Sequence, residues 1–203
     1  MKIYLTRHGE TIWNTEYKMQ GWKNSDLTSK GINNAKKLGK HLTNINFDYV
    51  YCSPLGRAKE TANLILENRN ISIIYDNDLK EMNFGALEGM SNSEVDLLYA
   101  DQKFNFLNQP HLYETIGGES FEVLLIRVNN WLNKIKNDHI NDTILVVTHT
   151  CIIKAIYSIL KNLPIEKFWS LPYVYDTSLT ILEITEDGFS FLAESDTSHL
   201  SEL

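Results

Sequence analysis

Apolar residues along this chain follow two rhythms, short unbroken runs and longer stretches with a helical repeat. Ile3 to Thr6 is a short apolar run that stops at Arg7-His8-Gly9 and predicts a buried strand. Residues 28 to 43 predict an amphipathic helix, with Thr28 as cap and Ile32, Ala35, Leu38 and Leu42 at helical spacing. Asp48 to Cys52 predicts a second strand. Ser53-Pro54 then reads as a cap and a first-turn proline for a helix through about Glu67. Ile71 to Tyr75 is a β-branched strand candidate. Residues 119 to 137 carry a single stripe of Phe121, Leu124, Leu125, Val128, Leu132 and Ile135, the signature of a helix. Thr143 to Thr148 is apolar without alternation, as expected of a strand covered on both faces in a parallel sheet. Another helix follows through about Leu160. Ser178 to Thr185 and Phe189 to Ala193, separated by Glu186-Asp187-Gly188, predict a late hairpin or two edge strands. Strands alternating with helices give an α/β sandwich. Between Ser91 and Gly118 the pattern weakens into short helical pieces, read as an insertion over one end of the sheet.

Composition narrows the function classes. The 203 residues are 43% hydrophobic and 22% charged, an ordinary globular mix that fits one domain over residues 1–203. No apolar run reaches the ~18 residues of a membrane helix, and no signal peptide precedes the charged start at Lys2. Two cysteines, Cys52 and Cys151, make no disulfide framework, so a reducing cytoplasm is expected. The net charge of -7 argues against a nucleic-acid partner.

In parallel α/β sheets, ligands bind beyond the carboxyl ends of the strands. Three predicted strand ends carry Arg7-His8-Gly9-Glu10-Thr11, Ser53-Pro54-Leu55-Gly56-Arg57 and Thr148-His149-Thr150 to that edge. Arginines present a planar fork that matches phosphate oxygens, and free N–H groups at helix starts after Ser53 and His149 add donors. The competing reading is a structural arginine–carboxylate network built on Glu10, Glu60 or Glu81; spacing alone weighs the two evenly. Neither cysteine has the five-residue separation from an arginine that a cysteine phosphatase requires, and both read as small buried hydrophobes. No residue cluster has metal-binding spacing, so neither a metal nor a cofactor is expected.

Leu5-Thr6-Arg7-His8-Gly9-Glu10-Thr11 with Trp13-Asn14 resembles the signature of the histidine phosphatase superfamily, which includes the cofactor-dependent phosphoglycerate mutases. Ser53 to Ala62, Leu79-Lys80-Glu81 with Phe84-Gly85 and Glu88-Gly89, Gly117-Gly118-Glu119-Ser120 and Val147-Thr148-His149 resemble the family's later blocks in order. The resemblance implies a three-layer α/β/α sandwich around a mostly parallel sheet, with a small helical lid at about 91–118. It implies His8 as the nucleophile that forms a phosphohistidine, and Arg7, Arg57 and His149 as clamps on the phosphoryl oxygens. Glu81 is implied as the proton donor, and Asn14, Gln20, Gly21 and Thr150 as further phosphate contacts. Thr150-Cys151 departs from the glycine that many relatives carry after this histidine.

A mutase must also hold a second anion. Here Met82-Asn83-Phe84 follows Glu81 with no arginine, and Lys103 is the single lysine or arginine between residues 91 and 118, against Tyr99, Phe104, Phe106, Leu107, Leu112 and Tyr113. The expectation is therefore a phosphomonoesterase acting on a small phosphorylated metabolite, as a monomer or homodimer. The alternatives are a phosphoglycerate mutase, a substrate-specific phosphatase such as an α-ribazole phosphatase, and an inactive phospho-ligand binding module.

Overall fold

The computed structural model describes residues 1–67 and 69–201. Its six strands are β1 (Lys2–Arg7), β2 (Tyr49–Cys52), β3 (Ile73–Tyr75), β4 (Thr143–Thr148), β5 (Leu179–Thr185) and β6 (Gly188–Asp196). They form one sheet in the order β3-β2-β4-β1-β5-β6. The first four are mutually parallel; β5 runs antiparallel beside β1, and β6 antiparallel beside β5. The late segment is thus a hairpin, and only β6 of the pair is an edge strand.

The helices are α1 (Ile12–Thr15), α2 (Ser29–His41), α3 (Gly56–Leu66), α4 (Asn92–Leu98), α5 (Ala100–Asn108), α6 (Phe121–Asp138), α7 (Thr150–Leu160) and α8 (Ser198–Ser201). Side chains alternate across each strand, so the sheet divides the core in two. Ile3, Leu5, Ile144 and Val146 face α6 and α7, whereas Tyr4, Val50, Leu145 and Val147 face α2 and α3. This is the three-layer α/β/α arrangement. β4 lies between β1 and β2 with helices on both faces, which explains its unbroken apolar run.

Local capping explains where the helices begin. The Thr28 and Ser120 hydroxyls accept from the backbone N–H groups of Gly31 and Val123, starting α2 and α6. The stripe on α6 differs from expectation at two positions: Trp131 is buried and Leu125 only half-buried. Ser53 is not a helix cap. α3 starts three residues later, at Gly56 after Leu55, while the Ser53 hydroxyl meets the His149 ring and accepts from the Leu55 N–H at 3.3 Å.

Over the carboxyl end of the sheet lie α4, α5 and the turn Pro110–Leu112. Phe106 of α5 anchors them, edge-on to Phe84, Tyr113 and Trp169 and stacked on Phe121. Phe104, Leu107 and Leu112 remain about half exposed, so only part of the lid's apolar content is its own core.

Candidate active site

The carboxyl ends of β1, β2 and β4 meet, as the strand order requires. Arg7, His8, Asn14, Gln20, Gly21, Arg57, Glu81 and Thr150 line one cavity of about 180 Å³. His149 stands behind them, fully buried, with its ring centroid 5.1 Å from that of His8.

His8 is oriented from both sides. Its Nδ1 lies 2.8 Å from the Gly9 carbonyl, which can only accept, so Nδ1 carries the proton and Nε2 the lone pair. Arg57 Nε donates to that lone pair at 3.1 Å. Burial first, then the Arg57 and Arg7 charges, hold the His8 pKa well below 6.5 and keep the ring neutral. Gly9 is required here, since a Cβ would strike the Gly31 carbonyl at 2.8 Å.

Arg57 is 1% exposed, and backbone groups hold it in place. Its Nη1 donates to Lys23 O at 2.8 Å and its Nη2 to Gly21 O at 2.7 Å. Burial pulls its pKa down to about 10, so it remains a cation at neutral pH. Arg7 donates from Nη1 to Val174 O at 3.1 Å, while its Nε is buried without a partner among the described residues. Neither arginine has a carboxylate partner among the described residues. Glu10 is occupied by Lys30 at 2.8 Å and by Thr28, and Glu60 is exposed on the far side of α3's first turns. The structural arginine–carboxylate network is therefore not what these arginines form.

Glu81 is 8% exposed, and burial pushes its pKa above 4.5. Oε1 accepts from the backbone N–H of Met82 at 2.9 Å and of Cys151 at 3.1 Å. That second bond engages one N–H of α7's first turn, which serves Glu81. In α3's first turn the Arg57 N–H is engaged by Asn24 Oδ1 at 2.8 Å. Lys80 does not pair with Glu81 but lies over the Trp22 ring.

His149 Nε2 meets Ser53 Oγ at 2.7 Å, leaving Nδ1 buried and unpartnered among the described residues. Asn14 caps its own short helix, Oδ1 accepting from Thr11, and also lines the cavity. With that oxygen anchored, its Nδ2 is the end left to donate. Gln20 is buried with Oε1 unpartnered among the described residues, and Gly21, at φ 55, contributes its carbonyl to Arg57. Both thiols are buried and unpaired, with the Cys52 pKa pushed up by burial to about 12.

Lys18, Met19, Phe84, Phe106, Cys151 and Trp169 complete the cavity wall. Of these, Phe84 and Phe106 stand out in the sequence, whereas Lys18, Met19 and Trp169 do not. The Glu88 carboxylate accepts from the N–H groups of Trp22, Lys23 and Phe84, joining the Gln20–Gly21 loop to the segment after Glu81. Arg127 forms a two-pronged pair with Glu119 and donates to the carbonyls of Asp78 and Lys80, bracing the chain that carries Glu81. The Glu-Ser after the paired glycines was the sequence signal for Glu119; nothing marked Trp169, which is remote in the chain.

A profile of the histidine phosphatase superfamily (branch 1) matches residues 3–197. Phosphoserine phosphatase 1 of Hydrogenobacter thermophilus is 33% identical over 202 residues, covering 100% of this chain and 95% of the relative. YhfR of Bacillus stearothermophilus superposes with a TM-score of 0.95 at 38% identity, covering 98% of this chain and 99% of that one. The α-ribazole phosphatase of Shigella flexneri superposes with a TM-score of 0.89 at 26% identity, covering 97% and 96%. A full-length relative and a near-superimposable structure carry the same architecture, and this chain belongs to the histidine phosphatase superfamily (branch 1).

Proposed function

We propose that this protein is a phosphomonoester hydrolase for small phosphorylated metabolites, working through a phosphohistidine on His8 with Glu81 as proton donor. One observation carries the reading: the His8 Nε2 lone pair faces a guanidinium, in a cavity whose two arginines lack carboxylate partners among the described residues. With both histidines held neutral, the two arginines supply positive charge that matches a phosphate dianion, and burial of Glu81 favours its protonated form.

In the first step the His8 Nε2 lone pair bonds to phosphorus and the bond from phosphorus to the leaving oxygen breaks. Glu81 gives that oxygen its proton. Arg57 Nε swings from Nε2 to a phosphoryl oxygen, joined by the free Nε–H of Arg7, Asn14 and His149. In the second step water bonds to phosphorus, Glu81 takes the water's proton, and the bond to Nε2 breaks to release phosphate.

The leaving group meets Met19, Phe84, Phe106 and Trp169, with Lys18 the one lysine on the wall. Lys103, the lid's one lysine, is spent on Asp96 at 2.8 Å. A second phosphate thus finds little support, which favours hydrolysis over mutase chemistry, and the pairing of His8 with the acid Glu81 favours it over a passive binding module. We further propose a single-domain cytoplasmic protein with a lid at about 91–118, without nucleic-acid or membrane partners. Among the described residues no helix is long and apolar enough to cross a membrane.

The test is trapping in alkaline denaturant, where a P–N bond persists. Wild-type protein with a labelled phosphomonoester yields an acid-labile phosphoprotein. His8→Ala yields none and loses at least about 10³-fold in turnover while still binding vanadate. Fast isomerisation of 3-phosphoglycerate, with or without bisphosphoglycerate, would instead assign the mutase activity.

A further inference from the structure

Arg7 is held by a segment far from it in sequence. Residues Leu171–Ser178 pass over the carboxyl end of β1 as a strap. Val174 O accepts from Arg7 Nη1 at 3.1 Å, and the Thr177 N–H donates to Arg7 O at 3.1 Å. The strap thereby fixes both the guanidinium and the backbone of one residue.

The strap has a post at each end. Lys154 of α7, 3% exposed, donates from Nζ to Leu171 O at 3.0 Å and to Pro172 O at 3.1 Å. At the other end His199 of α8, 1% exposed, donates from Nε2 to Thr177 O at 3.0 Å. α8 is in turn tied to α2, where Lys37 Nζ donates to Leu200 O at 3.0 Å.

Thr177 sits between His199 and Arg7 at φ 54, fully buried. A β-branched residue in the left-handed region is a genuine outlier, costing on the order of 1–3 kcal/mol unless its surroundings impose it. Its peptide groups are what the surroundings use. The N–H reaches Arg7 and the C=O reaches His199.

We infer that His199 is a positioning residue for Arg7, acting through the Thr177 peptide so that the C-terminal helix sets the placement of a phosphate-binding arginine. The inference rests on Arg7 binding the phosphoryl group. His199 does not line the cavity and takes no part in the chemistry. Its contribution is the angle at which the Arg7 Nε–H, buried and unpartnered among the described residues, meets the phosphoryl oxygens.

The experiment measures the vanadate inhibition constant of the full chain, using only variants whose circular dichroism matches wild type. His199→Ala removes one hydrogen bond and weakens vanadate about three- to tenfold. His199→Gln, which restores an N–H donor, recovers most of that loss. The Arg7→Ala/His199→Ala double variant is no weaker than Arg7→Ala alone, because the two act as one unit. Should His199→Ala fail to fold, Lys37→Ala loosens the same helix from the surface and gives a smaller shift in the same direction. A merely structural role would lower the melting temperature and leave the inhibition constant of the folded protein unchanged. That result, or strict additivity in the double variant, overturns the inference. An Arg7→Ala variant with wild-type vanadate affinity would instead remove the phosphate-binding reading of Arg7, and the inference with it.

Discussion

His8 and Glu81 are both deeply buried, yet burial acts on them in opposite directions. A buried imidazole resists gaining its charge, so the His8 pKa falls below 6.5; a buried carboxyl resists losing its proton, so the Glu81 pKa rises above 4.5. The proposed reaction needs neutral His8 and protonated Glu81. Activity on an alkyl phosphate therefore falls as pH drops through the lowered His8 value, and falls again as pH rises through the raised Glu81 value. Glu81→Gln should cost about 10²- to 10⁴-fold in kcat/KM on an alkyl phosphate and erase the basic limb. The loss on p-nitrophenyl phosphate, whose nitrophenolate departs without a proton, should be far smaller. Equal losses on both substrates in steady-state assays across pH would remove Glu81 from its role. His149 differs from both, since its ring touches Ser53 and His8 behind the cavity wall. Its proposed part is to complete the cradle around the phosphoryl group.

At the level of elements, the strands place the chemistry and the loops between them hold it still. The chain carrying Glu81 has no regular strand of its own, and the pair Arg127–Glu119 supplies the missing rigidity from α6. That pair is 14% and 11% exposed and uses both prongs of the guanidinium. Arg127→Met leaves Glu119 buried without its cation and frees the Asp78 and Lys80 carbonyls. About 3–5 kcal/mol of stability should be lost. Because Glu81 is braced through those carbonyls, kcat on alkyl phosphates should fall more than KM rises. Urea unfolding beside steady-state kinetics tests both parts.

The same elements show how far the sequence could be read. Strand ends at Arg7-His8, Arg57 and Thr148-His149 were visible because periodicity locates strands and basic residues at their ends stand out. The start of α3 was misplaced because Ser53 has the right chemistry for a cap and is drawn to His149, 96 residues away. Trp169 and the strap over Arg7 were invisible for a similar reason. Each acts by a contact between distant parts of the chain, and local spacing carries no trace of it.

For the molecule as a whole, buried neutral histidines make stability depend on pH. The unfolded chain protonates His8 and His149 near 6.5, whereas the folded protein holds them neutral well below that value. Their contribution is thus intact above 6.5 and is lost as pH falls, by up to about 1.4 kcal/mol per pH unit for each ring. Glu81 acts in the opposite sense: its contribution is whole below 4.5 and is lost as pH climbs from there to the raised value. Two rings against one carboxyl leave a net decline on acidification from neutrality. Urea midpoints at about pH 7.5 and 5.5 should show it, with a shallower decline in His149→Gln; an identical slope in that variant would exclude the ring as a source.

β1 and β4 sit side by side in the interior of the sheet, with β2 and β5 as their outer neighbours. His8 and His149 follow directly from those strands, so the reactive groups are rooted in the part of the fold with the most neighbours to lose. Fraying of the outermost strands leaves them in place. Amide exchange at β1 and β4 should then require opening of the entire protein, and enzymatic activity becomes a gauge of whether the chain is folded at all.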